Sequence, residues 1–292
     1  MSLDIGSGVL LAVLLGALLH ASWNALIKSA QDKSLDTALI HGLGTLTALP
    51  MLALFGAPPT AAWPYVLGST LIHIGYYTSL AGAYRHGDLG LTYPLMRGSA
   101  PLLVALFSHA LIGEALSPWA WAGVLTICAG VLTLGLSRSA LRSQGDEVRR
   151  RQALRYALTN ALFIAAYTLV DGIGVRVSSN APAYVSALFL FDGLPYLSLV
   201  LWQRRHDLAP VRAYALRRWP VALLGTLASL GSYGIALWAM TRAPVAMVAA
   251  LRETSVLFAA ALGTLLLREP FGWQRALGTG VIVGGVMLLR LG

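Results

Sequence analysis

Ten runs of mostly apolar residues divide the chain. They begin near Ile5, Asp36, Trp63, Leu89, Pro118, Ala153, Pro182, Trp219, Pro244 and Gly272. Each is about 20 residues long, the length a helix needs to cross a bilayer. Short polar or proline-containing steps separate them, such as Gly56-Ala-Pro-Pro, Ser178-Ser-Asn and Arg242-Ala-Pro. The pattern predicts an all-α membrane protein of ten transmembrane helices. Composition agrees: 11% of the residues are charged, against roughly 25% in a soluble domain. A chain of 292 residues that is 57% hydrophobic cannot hide its apolar surface in one core, so lipid must cover it. The N-terminal MSLDIGSGVLL lacks a basic leader and reads as the start of span 1 rather than a cleaved signal. Cys128, the single cysteine, reads as a packing residue.

The apolar runs repeat. Residues 97–136 align without a gap on 252–291, at an offset of 155, with eleven identities in forty positions. Arg97 falls on Arg252 and Glu114 on Glu269. Gly123, Ile127, Gly130 and Leu134 fall on Gly278, Ile282, Gly285 and Leu289. Matched leucines are cheap in apolar sequence; matched charges are not. The chain therefore divides into a five-helix repeat over 1–150, with its cytoplasmic linker, and a second over 151–292. Five is odd, so the second repeat enters the membrane from the opposite side. That inverted plan is the usual build of a secondary transporter.

The net charge of +9 invites a nucleic-acid partner, but its placement does not. With loops assigned alternately to two sides, sixteen Lys and Arg fall on one side and three on the other, leaving Arg97 and Arg252 inside spans. By the positive-inside rule the sixteen are cytoplasmic and both termini are outside. The loops 138–155 and 204–218 carry most of them. Two lysines beside nineteen arginines point to a bacterial source and its inner membrane.

Two features carry a resemblance. A Gly/Arg-Glu step (Gly113-Glu114, Arg268-Glu269) precedes a glycine-rich span in each half. ALLHASWNAL from Ala17 aligns with ALFIAAYTLV from Ala161, setting Trp23 on Tyr167. Over essentially the whole chain the pattern resembles the drug/metabolite transporter superfamily, and within it the ten-span EamA-type exporters. It is most similar to bacterial exporters of amino acids, aromatic ones especially. The resemblance implies a central cavity lined by spans 1, 3, 4, 6, 8 and 9. One departure stands out. The four-span drug exporters of the superfamily carry a glutamate in span 1, eight residues before a lysine. Here His20 holds that spacing from Lys28, so drug-proton exchange by that carboxylate is not expected.

Candidate site residues follow from buried polarity. Arg97 and Arg252 each lie eight residues into a span, roughly 12 Å below an interface at 1.5 Å per residue. Charge at that depth is costly, and such residues face a bundle interior or water. Either arginine could hold a substrate anion, form a gate, or lock the halves structurally. Glu253 is the acid beside the centre; a structural pair with Arg97, a substrate ammonium and a carried proton are its three readings. Pro94 and Pro101 flank Arg97 and Gly98, predicting a bent or discontinuous span 4 and a gating segment. Polar-aromatic stripes place His20, Trp23 and Asn24 on span 1, and His73, Tyr76 and Tyr77 on span 3. Tyr167, with Asn160, Phe163 and Asp171, lies on span 6, and Tyr233 on span 8. Asp192 and His41 read as structural, His109 as interfacial. Glu114 and Glu269 read as acids at the N-termini of spans 5 and 10. Gly280 and Gly284 form a small-xxx-small step for packing within a monomer or a homodimer.

These features predict a secondary carrier of small metabolites, above all neutral or aromatic amino acids, working by alternating access. No nucleotide-binding loop or ATPase domain appears, and no cofactor or metal site is expected. The alternatives are a carrier of phosphorylated or nucleotide-linked sugars, with both arginines on phosphate, or a cationic-drug exporter. A channel is disfavoured by the inverted repeats. An intramembrane enzyme is disfavoured by the lack of HExxH, GxSxG or paired acids.

Overall fold

The structure, a computed structural model, describes residues 6–87, 89–135, 147–267 and 272–291. The first half consists of α1 (Ser7–Lys28), α2 (Lys33–Phe55), α3 (Trp63–His86), α4 (Leu89–Ile112) and α5 (Pro118–Gly135). The second consists of α6 (Glu147–Ser178), α7 (Ala181–Gln203), α8 (Ala209–Met240), α9 (Val245–Arg252), α10 (Ser255–Leu267) and α11 (Trp273–Arg290). Since α9 and α10 are two parts of one span, the ten expected spans are present as helices, and no strand occurs among the described residues. Seven spans are long and apolar enough to be recognised by those criteria alone, with α5 a shorter apolar helix. Leucines such as Leu11, Leu54 and Leu71 remain exposed on the outer faces, as lipid contact requires.

The inverted repeat is visible in how α5 meets α11. A side chain at Gly123 would strike Leu289, and one at Gly278 would strike Leu134. Likewise Gly130 faces Ile282 and Gly285 faces Ile127. Every one of these eight residues belongs to the duplicated set, and each contact has its counterpart at the 155-residue offset. Such reciprocity is the mark of a two-fold-related interface. Glycine lets the two backbones approach, so dispersion contacts and backbone proximity replace a hydrophobic driving force that lipid does not supply. Gly280 and Gly284 play no part: a side chain at either would meet open space. They face outward because they are out of phase with Gly278 and Gly285. We therefore expect Gly130→Val and Gly285→Val each to destabilise the detergent-solubilised protein by about 1–3 kcal/mol, the usual cost of overpacking. Gly284→Val should leave its thermal unfolding unchanged, and equal behaviour of all three would disprove this interface.

A second close approach joins α3 to α6. Gly75 and Gly82 are seven residues apart, as are Phe163 and Tyr156, and each glycine receives the matching ring. Asn160, between the two rings, donates to the Tyr76 carbonyl at 2.9 Å and to Ser79 Oγ at 3.0 Å. A buried amide thereby satisfies its donors while setting the register of the two helices.

Charged contacts tie the halves together at both membrane faces. On the arginine-rich face Asp36, wholly buried, accepts from Arg218 Nε at 2.9 Å and from the Tyr214 hydroxyl at 3.1 Å. Asp32 caps α2 through the Leu35 amide and pairs with Arg204 at 2.7 Å. Burial alone would raise the Asp32 carboxyl; the Leu35 amide and the Arg204 guanidinium hold it below the usual range. On the opposite face Arg176 pairs with Glu114 at 2.5 Å and donates to the Met240 and Ala243 carbonyls.

Three expectations need correction. The stretches 147–155 and 209–218, expected as loop, are helical extensions of α6 and α8. Glu147 and Arg151 form an i,i+4 pair at 2.6 Å, a geometry that supports an exposed helix. Span 4 is not discontinuous: α4 runs uninterrupted through Pro94 and Pro101. Glu114 does sit at a helix N-terminus, but that of α9, where it accepts the Val245 amide at 2.9 Å. Gly113 explains this. Its φ of +74° ends α4 in a left-handed turn, with the Glu114 amide reaching back to Ser108, a typical glycine C-cap. The turn delivers the carboxylate across to the second half. Glu269, its repeat counterpart, lies outside the described residues.

Candidate functional site in the membrane interior

The ninth span is the one that breaks. Between α9 and α10 the backbone tightens at Glu253 and Thr254. The Glu253 amide bonds to Ala250 and the Thr254 amide to Leu251, both at 3.0 Å. The amides of Val256 and Leu257 then bond three residues back. Thr254 Oγ1 also donates to the Leu251 carbonyl at 2.7 Å. These short-range bonds keep the backbone satisfied without proline, as hydrocarbon demands. They gather Glu253, Thr254 and Ser255, all buried, at the junction of two half-helices. Residues Val245–Leu251 of α9 are buried throughout, so this junction is held in the centre of the bundle. Discontinuous helices at mid-membrane are where carriers bind their cargo.

Arg97, on α4, meets this junction. Its Nε lies 2.9 Å from Glu253 Oε2, although the two atoms are not aligned as a hydrogen bond. Both side chains are nearly buried, at 11% and 5% exposure. The pair joins the first half to the second. Gly98, beside it, is a close-packing position: a side chain there would lie 2.9 Å from Leu132 Cγ.

Arg252 is arranged differently. Its guanidinium lies over the Tyr233 ring, 5.0 Å from the centroid, a cation–π placement. It is half-buried, and among the described residues it forms no ion pair. The duplicated arginines are thus unequal. One is neutralised by an acid of the other half; the other is left with aromatic company.

The stripes on spans 3, 6 and 8 converge on the same region. His73 stacks on Tyr167 with ring centroids 4.3 Å apart and planes 22° apart. Tyr76 meets Tyr167 edge-on at 5.9 Å and Tyr77 at 5.2 Å. Tyr167 meets Tyr233 at 6.5 Å. Tyr167 is also within electrostatic range of Arg97, Arg252, Glu253 and Asp171. On α1, His20 feels both arginines. Its ring lies 5.3 Å from that of Trp23, edge to face, while Asn24 is turned back on its own helix, donating to the His20 carbonyl at 2.7 Å.

Two acids complete the region. Asp171 is fully buried and accepts from the hydroxyls of Tyr184, at 2.9 Å, and Tyr233, at 2.5 Å. Asp192 accepts from the Tyr77 hydroxyl at 3.2 Å and lies 3.7 Å from His73 Nδ1. Asp171 was on the span 6 stripe, one turn past Tyr167. Asp192 was read from the sequence as structural; its partners, Tyr77 and His73, lie on α3. His41 and Tyr196 extend the aromatic set, each about one ring from Tyr77. His109 is exposed.

A family comparison accounts for this architecture. Residues 6–136 and 152–291 match the EamA-like transporter family, once per half. A solved structure titled only "Crystal structure of protein" shares the fold with a TM-score of 0.72 and 20% identity, over 97% of this chain and 95% of that one. At that identity the likeness speaks for the fold alone. No curated protein sequence matches. With nearly the whole chain covered by the family in two repeats, ten helical spans and a charged centre, the chain belongs to the EamA-like transporter family of the drug/metabolite transporter superfamily and is a multi-pass membrane transporter of small molecules.

Proposed function

We infer that the protein exports neutral amino acids, aromatic or branched, by alternating access between its repeats, 1–150 and 151–292. We place it in a bacterial inner membrane with periplasmic termini, following its charge distribution. One observation carries the substrate reading: Arg252 presents a guanidinium with no acid partner among the described residues, over an aromatic ring. A guanidinium is a planar fork suited to a carboxylate. The rings of Trp23, Tyr76, Tyr167 and Tyr233 suit an apolar side chain, at about 0.5–1.5 kcal/mol per aromatic contact beyond area burial. The phosphate-sugar reading loses support, because it needs both arginines and Arg97 is neutralised by Glu253. No second reading is favoured by a specific observation.

Counterflow in proteoliposomes tests the proposal. Phenylalanine, tryptophan, leucine and threonine would be offered outside, each with the same amino acid loaded inside. Uptake of at least one is expected to saturate and to be trans-stimulated. Liposomes that carry a quaternary ammonium drug but none of these four would overturn the reading.

A further inference from the structure

The face opposite the arginine-rich one is sparing with charge. The loop assignment leaves it three Lys or Arg residues: Arg176, Arg242 and Arg290. Two of them line one cavity. It measures about 550 Å³ and lies between the ends of α6 and α8 and the start of α7. Arg176, Ser179, Asn180, Trp238, Thr241 and Arg242 are among its walls, and no acid is.

The two arginines are differently committed. Arg176 pairs with Glu114 and donates to two backbone carbonyls. Its charge is cancelled and its place is fixed. Arg242 is exposed and forms no ion pair among the described residues. Its guanidinium lies over the Trp238 ring, 4.8 Å from the centroid. A ring that takes the face of a guanidinium leaves the N–H groups along its edge to bond in the plane. That edge is the fork that matches a carboxylate or a phosphate. The cavity thus carries one uncompensated positive charge with its donors presented. Topology does not ask for it, since basic residues orient a chain by gathering on the other face.

The hydroxyls add a complementary half. Ser179 Oγ donates to the Arg176 carbonyl at 3.4 Å, and Thr241 Oγ1 to the Trp238 carbonyl at 2.6 Å. With their protons spent, both oxygens offer the cavity lone pairs. A ligand that suits these walls has hydroxyl donors as well as an anion. The Asn180 side chain is spent on the Ala183 amide and the Phe55 carbonyl. That second bond brings the end of α2 alongside, where Leu54 and Phe55 are exposed, as is Val177 on α6. Trp238 lies two residues from the end of its span, the depth at which tryptophans meet lipid headgroups. An anion with apolar tails fits both surfaces at once.

We propose that this cavity binds the headgroup of an anionic phospholipid, a phosphodiester with free hydroxyls such as phosphatidylglycerol. The phosphate bonds to the edge of Arg242, and the headgroup hydroxyls donate to Ser179 and Thr241. One negative charge meets one positive charge. The site is separate from the charged centre of the bundle and rests on no reading of the substrate.

The test is thermal unfolding of the full chain, delipidated in an uncharged detergent at fixed ionic strength. Phosphatidylglycerol should raise the midpoint by about 3 °C once it is roughly tenfold above its Kd. Phosphatidylcholine has the phosphate but neither the net charge nor the hydroxyls, and its effect should be clearly smaller. Arg242→Gln should lose the response. So should Ala181→Asp, which puts an acid into the cavity at the first turn of α7, where the helix dipole favours it. Arg205→Gln is the control. Arg205 also lies over a tryptophan, 4.7 Å from the Trp202 ring centroid, but on the arginine-rich face. Its loss should leave the response intact. No response in the wild type, or an equal one to phosphatidylcholine, overturns the proposal. An equal response in the wild type and all three variants is general attraction of charge and overturns the site. A response matched by soluble glycerol phosphate makes the occupant a free anion and overturns the lipid. A response to leucine or phenylalanine that Arg242→Gln abolishes would make the cavity an exit for substrate and overturn it equally.

Discussion

Arg252→Ala is expected to lower transport at least ~30-fold, while the variant remains folded and membrane-inserted. The argument is one of partners. A buried charge that loses its counter-group in a complex forfeits about 2–5 kcal/mol, and each 1.4 kcal/mol is about tenfold in affinity. Arg252 makes no ion pair among the described residues, so its removal orphans no acid directly bound to it. Its loss should fall on the substrate rather than on the fold. Arg252→Lys should restore only part of the rate, because an ammonium is a point charge and cannot form the two parallel bonds of a guanidinium. The measurement is counterflow at matched protein density, with monodispersity as the folding control. Full transport by Arg252→Ala would remove the residue from the site.

Glu253→Gln should do the opposite, harming the fold first. Glu253 and Arg97 are both nearly buried and 2.9 Å apart. Removing one member leaves the other charge uncompensated, a loss of about 3–5 kcal/mol. Arg97→Ala should be similarly destabilising. The double variant Arg97→Met/Glu253→Leu should recover much of the loss, because replacing both charges by apolar groups of similar volume is often neutral. Thermal unfolding in one detergent, run on all four proteins, decides the matter. Single variants as stable as the wild type would show that the pair does not lock the halves and would return Arg97 to the list of substrate ligands.

The two experiments separate residues that look equivalent in the chain. Arg97 and Arg252 occupy the same place in their repeats. What differs is the residue that follows: Gly98 in one half and Glu253 in the other. Gly98 lets α4 press against α5 at Leu132. Glu253 instead sits at the tightened junction of α9 and α10, which turns its carboxylate toward Arg97. A duplicated scaffold has thereby acquired an asymmetric centre.

The sequence by itself determined the spans, the duplication and its offset, because these rest on local and periodic terms. Bilayer thickness sets how long an apolar run must be, and a helix satisfies its own backbone wherever such a run occurs. The recurrence of Gly123, Gly130, Gly278 and Gly285 in phase with Ile127, Leu134, Ile282 and Leu289 was legible for the same reason. That these residues pack α5 on α11 was not: the packing step read from the sequence was Gly280 and Gly284, which meet open space. The polar stripes of α3, α6 and α8 were legible at helical spacing. Tertiary structure alone decided who pairs with whom. Glu114 caps α9 rather than α5, because the turn at Gly113 carries it across to the second half. Asp192 is drawn to His73 and Tyr77 by helix packing that no spacing along the chain records. Span 4, expected to be bent or discontinuous at Pro94 and Pro101, is continuous, and the break in the backbone is at Glu253 and Thr254. There, bonds to carbonyls three residues back keep the amides satisfied. Pairing between distant charges and the placing of a helix break are settled by competition among neighbours in space, and those neighbours come from both halves of the chain.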